Sequence, residues 1–244
     1  MDQNVTIPTE TIDLPSKGLI YPSDNPLSSG KIEMKYMTAK EEDILTNQNY
    51  IQKGIVLDKL LQALIVSKIN YSDLIVGDKN AIMVAARVLG YGKDYEFEYN
   101  GQNYTVDLSK IDNKPFDESK LVSKGVNEFH YTLPSSNINI TYKILTHGDE
   151  QKIQIELDGL KKISKNNSPE LSTRLKYIIT SVNGDRDTKT IRQFVDTALL
   201  ARDSRELRKH IKNTQPDVDL TFFPDGNSDR IEIPVGLKFF WPDF

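Results

Sequence analysis

Residues 32–61 read IEMKYMTAKEEDILTNQNYIQKGIVLDKLL, and the patterning of this stretch decides how the chain divides into elements. Ile32, Met34 and Tyr36 alternate with polar neighbours, as one face of a half-buried strand does. Thr38-Ala-Lys-Glu41 has the form of a capping box, in which a threonine and a glutamate satisfy free amides at a helix start. Gly54 is a second break. Beyond it Ile55, Leu57, Leu60, Leu61, Leu64 and Ile65 fall at spacings that build the apolar stripe of a longer helix. The run Lys40-Glu-Glu-Asp43 invites a reading as paired catalytic carboxylates. Glu41 is better placed to close the capping box, and Glu42 and Asp43 suit the positive end of the helix dipole.

Working outward from this stretch, Asp78 is placed to cap a helix that carries Ile82, Ala85, Ala86 and Leu89 on one face and ends at Gly90. Tyr95–Tyr99 and Tyr104–Val106 alternate on either side of Asn100-Gly101, a strong local signal for a β-hairpin. Residues 109–126 are polar and read as a connection. Glu128–Leu133 and Ile138–Leu145 then predict two strands joined through Pro134-Ser-Ser-Asn137.

From Gly148 to about Thr214 the pattern is helical. Ile153, Leu157 and Leu160 mark one helix, and Leu171, Leu175, Ile178 and Val182 mark the next, with Ser168-Pro169 at its start. A further helix begins near Asp187 with Ile191, Phe194, Val195, Ala198 and Leu199, and a last one spans about Asp203–Lys212 before Pro216. Val218–Phe223 and Ile231–Val235 return to strand around Pro224-Asp-Gly226.

Residues 1–30 hold four of the eleven prolines and read as an extended arm with turns, which either crosses its own domain or reaches a neighbouring subunit. The expected fold class is α+β, in two lobes that each combine a few helices with a small antiparallel sheet or hairpin. The expected division is an arm at 1–30, an N-terminal lobe with the hairpin at 31–125, and a C-terminal lobe with an aromatic tail at 126–244.

Composition narrows the chemistry. With 244 residues the chain can bury a sizeable core, and 27% charged against 38% hydrophobic residues is ordinary for a globular protein. A net charge of −4 points to no polyanionic partner, so nucleic acid would need a local patch. The absence of cysteine excludes disulfides, thiol catalysis and cysteine-ligated zinc. The first residues, MDQNVTIPTETIDLP, lack the basic start and apolar core of a secretory leader, and Asp58, Lys59, Gln62 and Lys68 interrupt the most apolar window. The expected setting is cytoplasm, with no membrane contact.

Three constellations could carry chemistry. His147, Asp149 and Glu150 set an imidazole beside two carboxylates, as a metal-dependent hydrolase would, but the spacing matches no recognised ligand pattern and equally suits a helix start. Asn183-Gly-Asp185-Arg-Asp187 has the opening of a calcium loop without its later glutamate, and a turn capped by Asp187 accounts for it as well. Arg202, Arg205, Arg208, Lys209 and Lys212 make a basic helix that a nucleic-acid-binding regulator could use. The interleaved Asp203 and Glu206 instead suggest a solvated face with local ion pairs, so nucleic acid is disfavoured.

The chain finishes Phe239-Phe-Trp241-Pro-Asp-Phe244, and these aromatics must either fold back onto the final sheet or bury in a partner. Leu14, Tyr21, Phe239, Phe240, Trp241 and Phe244 are the expected partner anchors. No catalytic, cofactor or metal residue is assigned.

These pieces together resemble the baseplate hub and hub-assembly proteins of contractile-tailed phages of the T-even type. The matching residues are Asp13-Leu-Pro-Ser-Lys-Gly18 with Tyr21, Met37-Thr-Ala-Lys-Glu-Glu-Asp-Ile-Leu45, Gly54 with Leu57-Asp-Lys-Leu-Leu61, and Gly77-Asp78. They continue through Ala86-Arg87 with Gly90-Tyr-Gly-Lys-Asp-Tyr95, Leu145-Thr-His-Gly-Asp-Glu150, Val182-Asn-Gly184, Asp203-Ser-Arg-Glu-Leu-Arg208 and Phe239-Phe-Trp-Pro242. The likeness covers nearly the whole chain in order, and it is the ordered set rather than any one motif that is specific.

The resemblance implies a non-enzymatic protein that works through interfaces with other tail and hub proteins, either as a virion subunit or as an assembly factor that leaves. Self-association stays open. Some relatives look as though they carry Cys-x-x-Cys pairs in the two β segments. Here Tyr99-Asn-Gly101 and Phe223-Pro-Asp-Gly226 stand at those places, so no zinc and no cofactor is expected.

Overall fold

Thr9–Asp13 (β1) pairs antiparallel with Lys31–Lys35 (β2), so that Ile12 lies opposite Ile32 and Asp13 opposite Lys31. The computed structural model describes residues 7–163, 169–224 and 230–240. The described part of the proline-rich arm therefore folds over its own domain. It buries Leu14, Ile20, Tyr21 and Leu27, and its one helical piece is a short 3-10 turn at Pro26–Ser29, capped by Asn25, where none was expected.

Three helices follow β2: Ala39–Leu45 (α1), Gln48–Gln52 (α2) and Val56–Leu64 (α3). The capping box starts α1, with the Glu41 carboxylate accepting from the Thr38 amide at 3.0 Å and the Thr38 hydroxyl at 2.6 Å. Burial alone would raise the Glu41 pKa. Lys35 at 2.8 Å and the Thr38 donors override it and hold the group at about 2, so it stays a charged cap. Helix α3 buries Val56, Leu60, Leu61 and Leu64, the stripe the sequence predicts.

The long helix α4 spans Val76–Tyr91. It starts two residues before Asp78, whose side chain turns into the protein instead of capping, and it runs past Gly90 to stop at Gly92. Asp94–Tyr99 (β3) and Gln102–Asp107 (β4) form the expected hairpin. Asn100 and Gly101 take φ of 51° and 77°, as the two central residues of a type I′ turn require.

Beyond the connection, Phe129–Thr132 (β5) and Asn139–Tyr142 (β6) pair as expected, and a third strand joins β6, Ile179–Val182 (β7). Helices His147–Ile163 (α5), Glu170–Ile178 (α6), Thr188–Thr197 (α7) and Ala201–Thr214 (α8) complete this half. The continuous helix expected through Val182 is thus corrected: α6 ends at Ile178. Ile178-Ile-Thr-Ser-Val182 is rich in β-branched residues, and the free edge of β6 supplies a ladder for it, with the Lys143 amide donating to Ile178 O at 2.8 Å.

Thr221–Phe222 (β8) and Ile231–Glu232 (β9) form a last two-stranded piece, shorter than the sequence suggests. The fold is α+β, helices combined with small antiparallel sheets of two and three strands.

The two lobes share one core. A single apolar cluster runs from Leu14 to Phe240, with a smaller one at Leu145, Ile153 and Leu157. The chain after α8 packs back on the first half: Phe222 meets Phe97 edge-on at 5.6 Å, Phe239 meets Tyr95 at 4.8 Å, and Asn80 donates to Asp217 at 2.9 Å. The seam near residue 125 therefore marks a change of texture along the chain, and the described residues after α8 pack with residues 31–125.

Candidate interaction surfaces

Of the six residues expected to anchor a partner, Leu14, Tyr21, Phe239 and Phe240 are buried in the chain's own core. The anchor role is corrected for these four, because a side chain already desolvated by its own fold offers no area to a partner. Tyr21 also donates its hydroxyl to Asp78 Oδ2 at 2.6 Å, and burial beside that carboxylate raises its pKa. Trp241 and Phe244 lie outside the described residues.

The triad His147, Asp149 and Glu150 does not converge. His147 sits edge-on to Tyr71 at 4.8 Å and 3.9 Å from Asp58. Burial pushes its pKa down, Asp58 and Glu150 oppose that shift, and Lys79 adds to it. Asp149 turns back to accept from Lys143 at 2.8 Å and from Thr146 at 3.2 Å, closing the N-terminus of α5. Glu150 pairs with Arg174 at 2.7 Å. Three side chains in one segment thus serve three separate joints. No group of three or more His, Cys, Asp or Glu residues placed to hold a metal ion occurs among the described residues.

At the suspected calcium loop, Asn183 and Gly184 form a turn with φ of 49° and 86°. Asp185 accepts from the Asp187 amide at 2.9 Å, and Asp187 caps α7 by accepting from the Thr190 amide at 3.0 Å. Both carboxylates serve the local backbone. Tyr99-Asn-Gly101 is hairpin turn, while part of Phe223-Pro-Asp-Gly226 lies outside the described residues.

On α8 the expected ion pairs give way to a different arrangement. Asp203 is fully buried and accepts from the Ser135 amide at 2.7 Å and the Ser136 amide at 3.0 Å, tying the helix to the β5–β6 loop. Arg202, Arg205 and Lys209 share the exposed face, with no ion pair among the described residues, and Lys212 reaches Glu232 at 3.6 Å.

Buried acids were the class of residue that sequence reasoning missed, since nothing in the spacing of Asp78, Glu128, Asp203 or Asp217 marks it as interior. Glu128 accepts from Thr141 at 2.8 Å, Thr180 at 2.6 Å and both Arg186 guanidinium nitrogens at 2.8 and 3.0 Å. Arg186 is the main cause that lowers its pKa to about 2, against a smaller opposing effect of burial.

A depressed folded-state pKa contributes stability that is complete above the ordinary value of 4.5 and is lost as pH falls toward 2. Urea titrations across that window are expected to show a steeper acid loss for the wild type than for Glu128→Gln. Equal slopes would mean that this network contributes nothing.

The exposed apolar residues differ from the expected anchors. Ile155 and Ile163 on α5 are 72% and 86% exposed, and Leu171, Leu200 and Phe223 are also exposed. Leu171 was expected on the buried stripe of its helix, and its exposure corrects that. A cleft of about 830 Å³ lies between Tyr95–Glu98 on β3 and Pro234–Lys238. Comparison with protein-family models, with curated proteins and with solved structures gives no match. No described helix is long and apolar enough to cross a membrane.

Proposed function

We propose that this chain is a non-enzymatic protein of phage tail assembly, a baseplate hub subunit or hub-assembly factor that acts in the host cytoplasm through protein–protein interfaces. The reading is carried by the ordered set of motifs resembling that family, and the position of those motifs supports it. Ser16, Tyr21 and Asp78 meet in one buried joint, Asp203 ties α8 to the β5–β6 loop, and Phe239 packs against Tyr95. Several residues of these motifs hold the frame together. Likeness in the frame, with no converged catalytic group among the described residues, suits a protein whose work is done by its surfaces.

The composition of purified tails and hub intermediates tests this. The chain is expected either at fixed stoichiometry in finished tails or only in immature hub complexes, and these outcomes separate subunit from assembly factor. Failure to associate with any tail protein at either stage would overturn the proposal. A second reading draws on Arg202, Arg205 and Lys209 of α8, which have no ion-pair partner among the described residues. DNA binding that weakens steeply with salt and is lost in Arg205→Glu would favour a nucleic-acid contact instead.

A further inference from the structure

The hairpin β3–β4 has two edges, and its register states which backbone groups each edge presents. Tyr99 pairs with Gln102 across a two-residue turn, so Tyr99, Phe97 and Tyr95 exchange their amide and carbonyl bonds with β4. Consistently, the next pair outward is bonded, with the Leu108 amide donating to Lys93 O at 2.8 Å. Asp94, Glu96 and Glu98 therefore direct their backbone groups away from β4. Asp94 O is taken at one end by the Arg87 guanidinium at 3.4 Å. The amides and carbonyls of Glu96 and Glu98 have no hydrogen-bond partner among the described residues.

This open edge faces the cleft of about 830 Å³ whose other wall is Pro234–Lys238, with Tyr95 bridging the end by donating to Pro234 O at 3.1 Å. From Tyr95 to Glu98, the residues that line the cleft, the edge is about 10 Å long, at roughly 3.3 Å per residue. That length takes an extended segment of three or four residues.

We propose that the β3 edge is a strand-addition site for an extended, basic segment of a partner protein, one with lysine or arginine at alternate positions. Backbone pairing would supply affinity and side-chain charge would supply selection, as in other strand-addition complexes. The charge argument comes from Glu96 and Glu98, which are exposed, line the cleft and form no ion pair among the described residues.

The same carboxylates disfavour the other occupants. A second copy adding its own β3 antiparallel would set Glu96 against Glu98 in both directions, and like charges directly opposite are destabilising. The chain's own residues 241–244, Trp-Pro-Asp-Phe, bring a proline that cannot donate and a further carboxylate. An incoming strand with cations at alternate positions meets neither objection. Until it arrives, the acidic side chains protect the edge from indiscriminate pairing.

The inference rests on the proposal that this protein acts by making interfaces, but its test is independent of tails. The full-length chain is titrated into three labelled octapeptides: one alternating lysine with valine, one alternating glutamate with valine, and one lysine peptide carrying a central proline. Only the first is expected to bind. Glu96→Lys/Glu98→Lys is expected to weaken it by about tenfold or more, with an unchanged thermal melt showing that the variant folds. Amide exchange at Glu96 and Glu98 is expected to slow in the complex.

Equal binding of the proline peptide, or unprotected Glu96 and Glu98 amides, would reduce the effect to charge adhesion and overturn strand addition. So would failure of the lysine peptide to bind. A dimer of the free chain abolished by Glu98→Pro would assign the edge to a second copy and overturn the proposal likewise. Absence of the chain from all tail complexes, with peptide binding intact, would overturn the tail role and leave this site standing.

Discussion

Replacing Asp78 with alanine is expected to cost about 2–4 kcal/mol of folding stability, read as a lower urea midpoint at unchanged slope. Asp78 is fully buried at the start of α4, and three donors converge on it: the Ser16 amide at 2.9 Å, the Ser16 hydroxyl at 2.7 Å and the Tyr21 hydroxyl at 2.6 Å. Alanine leaves all three without an acceptor in a place water does not reach. The arm from Leu14 to Tyr21 then keeps its apolar packing and the backbone bonds from the Leu14 amide to Gly30 O and from the Gly125 amide to Leu19 O, but loses its tie to the Asp78 carboxylate, so protease sensitivity near Lys17 should rise as well.

The pH dependence carries a sign. Burial raises the Asp78 pKa above its ordinary 3.8, the Tyr21 and Ser16 bonds oppose the shift, and Asp217 adds to it. A folded state that binds the proton more tightly loses stability from this group as pH rises from 3.8 through the raised value. The alanine penalty should therefore be larger in acid than at neutrality. An alanine variant as stable as the wild type would show that the arm is not held by this joint.

The second large effect is expected at Gly77, where alanine should destabilise by about 2–4 kcal/mol. In an ordinary exposed helix position the same change would stabilise by about 1 kcal/mol, so the sign of the result is diagnostic. A Cβ on Gly77 would lie 2.8 Å from Pro216 C and 2.9 Å from Asp217 Cα, with Pro216 O nearer still. These are backbone atoms, which cannot swing aside as a side chain could. The returning chain is pinned there by Asn80 donating to Asp217 Oδ1 at 2.9 Å and by the Lys114 amide donating to Asp217 O at 2.8 Å. Relief of the clash must separate α4 from residues 216–217, and the pairing of Asp219 with Asp112 should weaken with it. A stabilised Gly77→Ala would mean that the last segment does not dock on α4 in solution.

These two positions show where the sequence could be read and where it could not. Gly77-Asp78 looks like a helix start, since glycine and aspartate are both common near N-termini, and capping was the natural local role. The actual partners of Asp78 are 57 and 62 residues away in sequence. No window of local sequence contains such an acceptor and its donors together.

The same holds for Phe239 and Phe240. Four aromatics in six residues state that they must be buried, but not by whom, and for Phe239 the answer lies on a hairpin more than a hundred residues earlier. Strand β7 is the intermediate case: its β-branched run was a legible signal, outweighed in the reading by helical spacing that continued past Ile178.

What the chain determined by itself is what depends on neighbours within a turn or two. The Thr38–Glu41 cap, the apolar stripe of Val56–Leu64, the Asn100-Gly101 turn and the α+β alternation all follow from spacing and local hydrogen bonding. Tertiary structure alone decided which acids are interior, which aromatics close the core and which strand edge has no backbone partner among the described residues. Those outcomes depend on desolvation and on backbone groups brought together from distant segments, and neither is a property of any stretch of sequence taken alone.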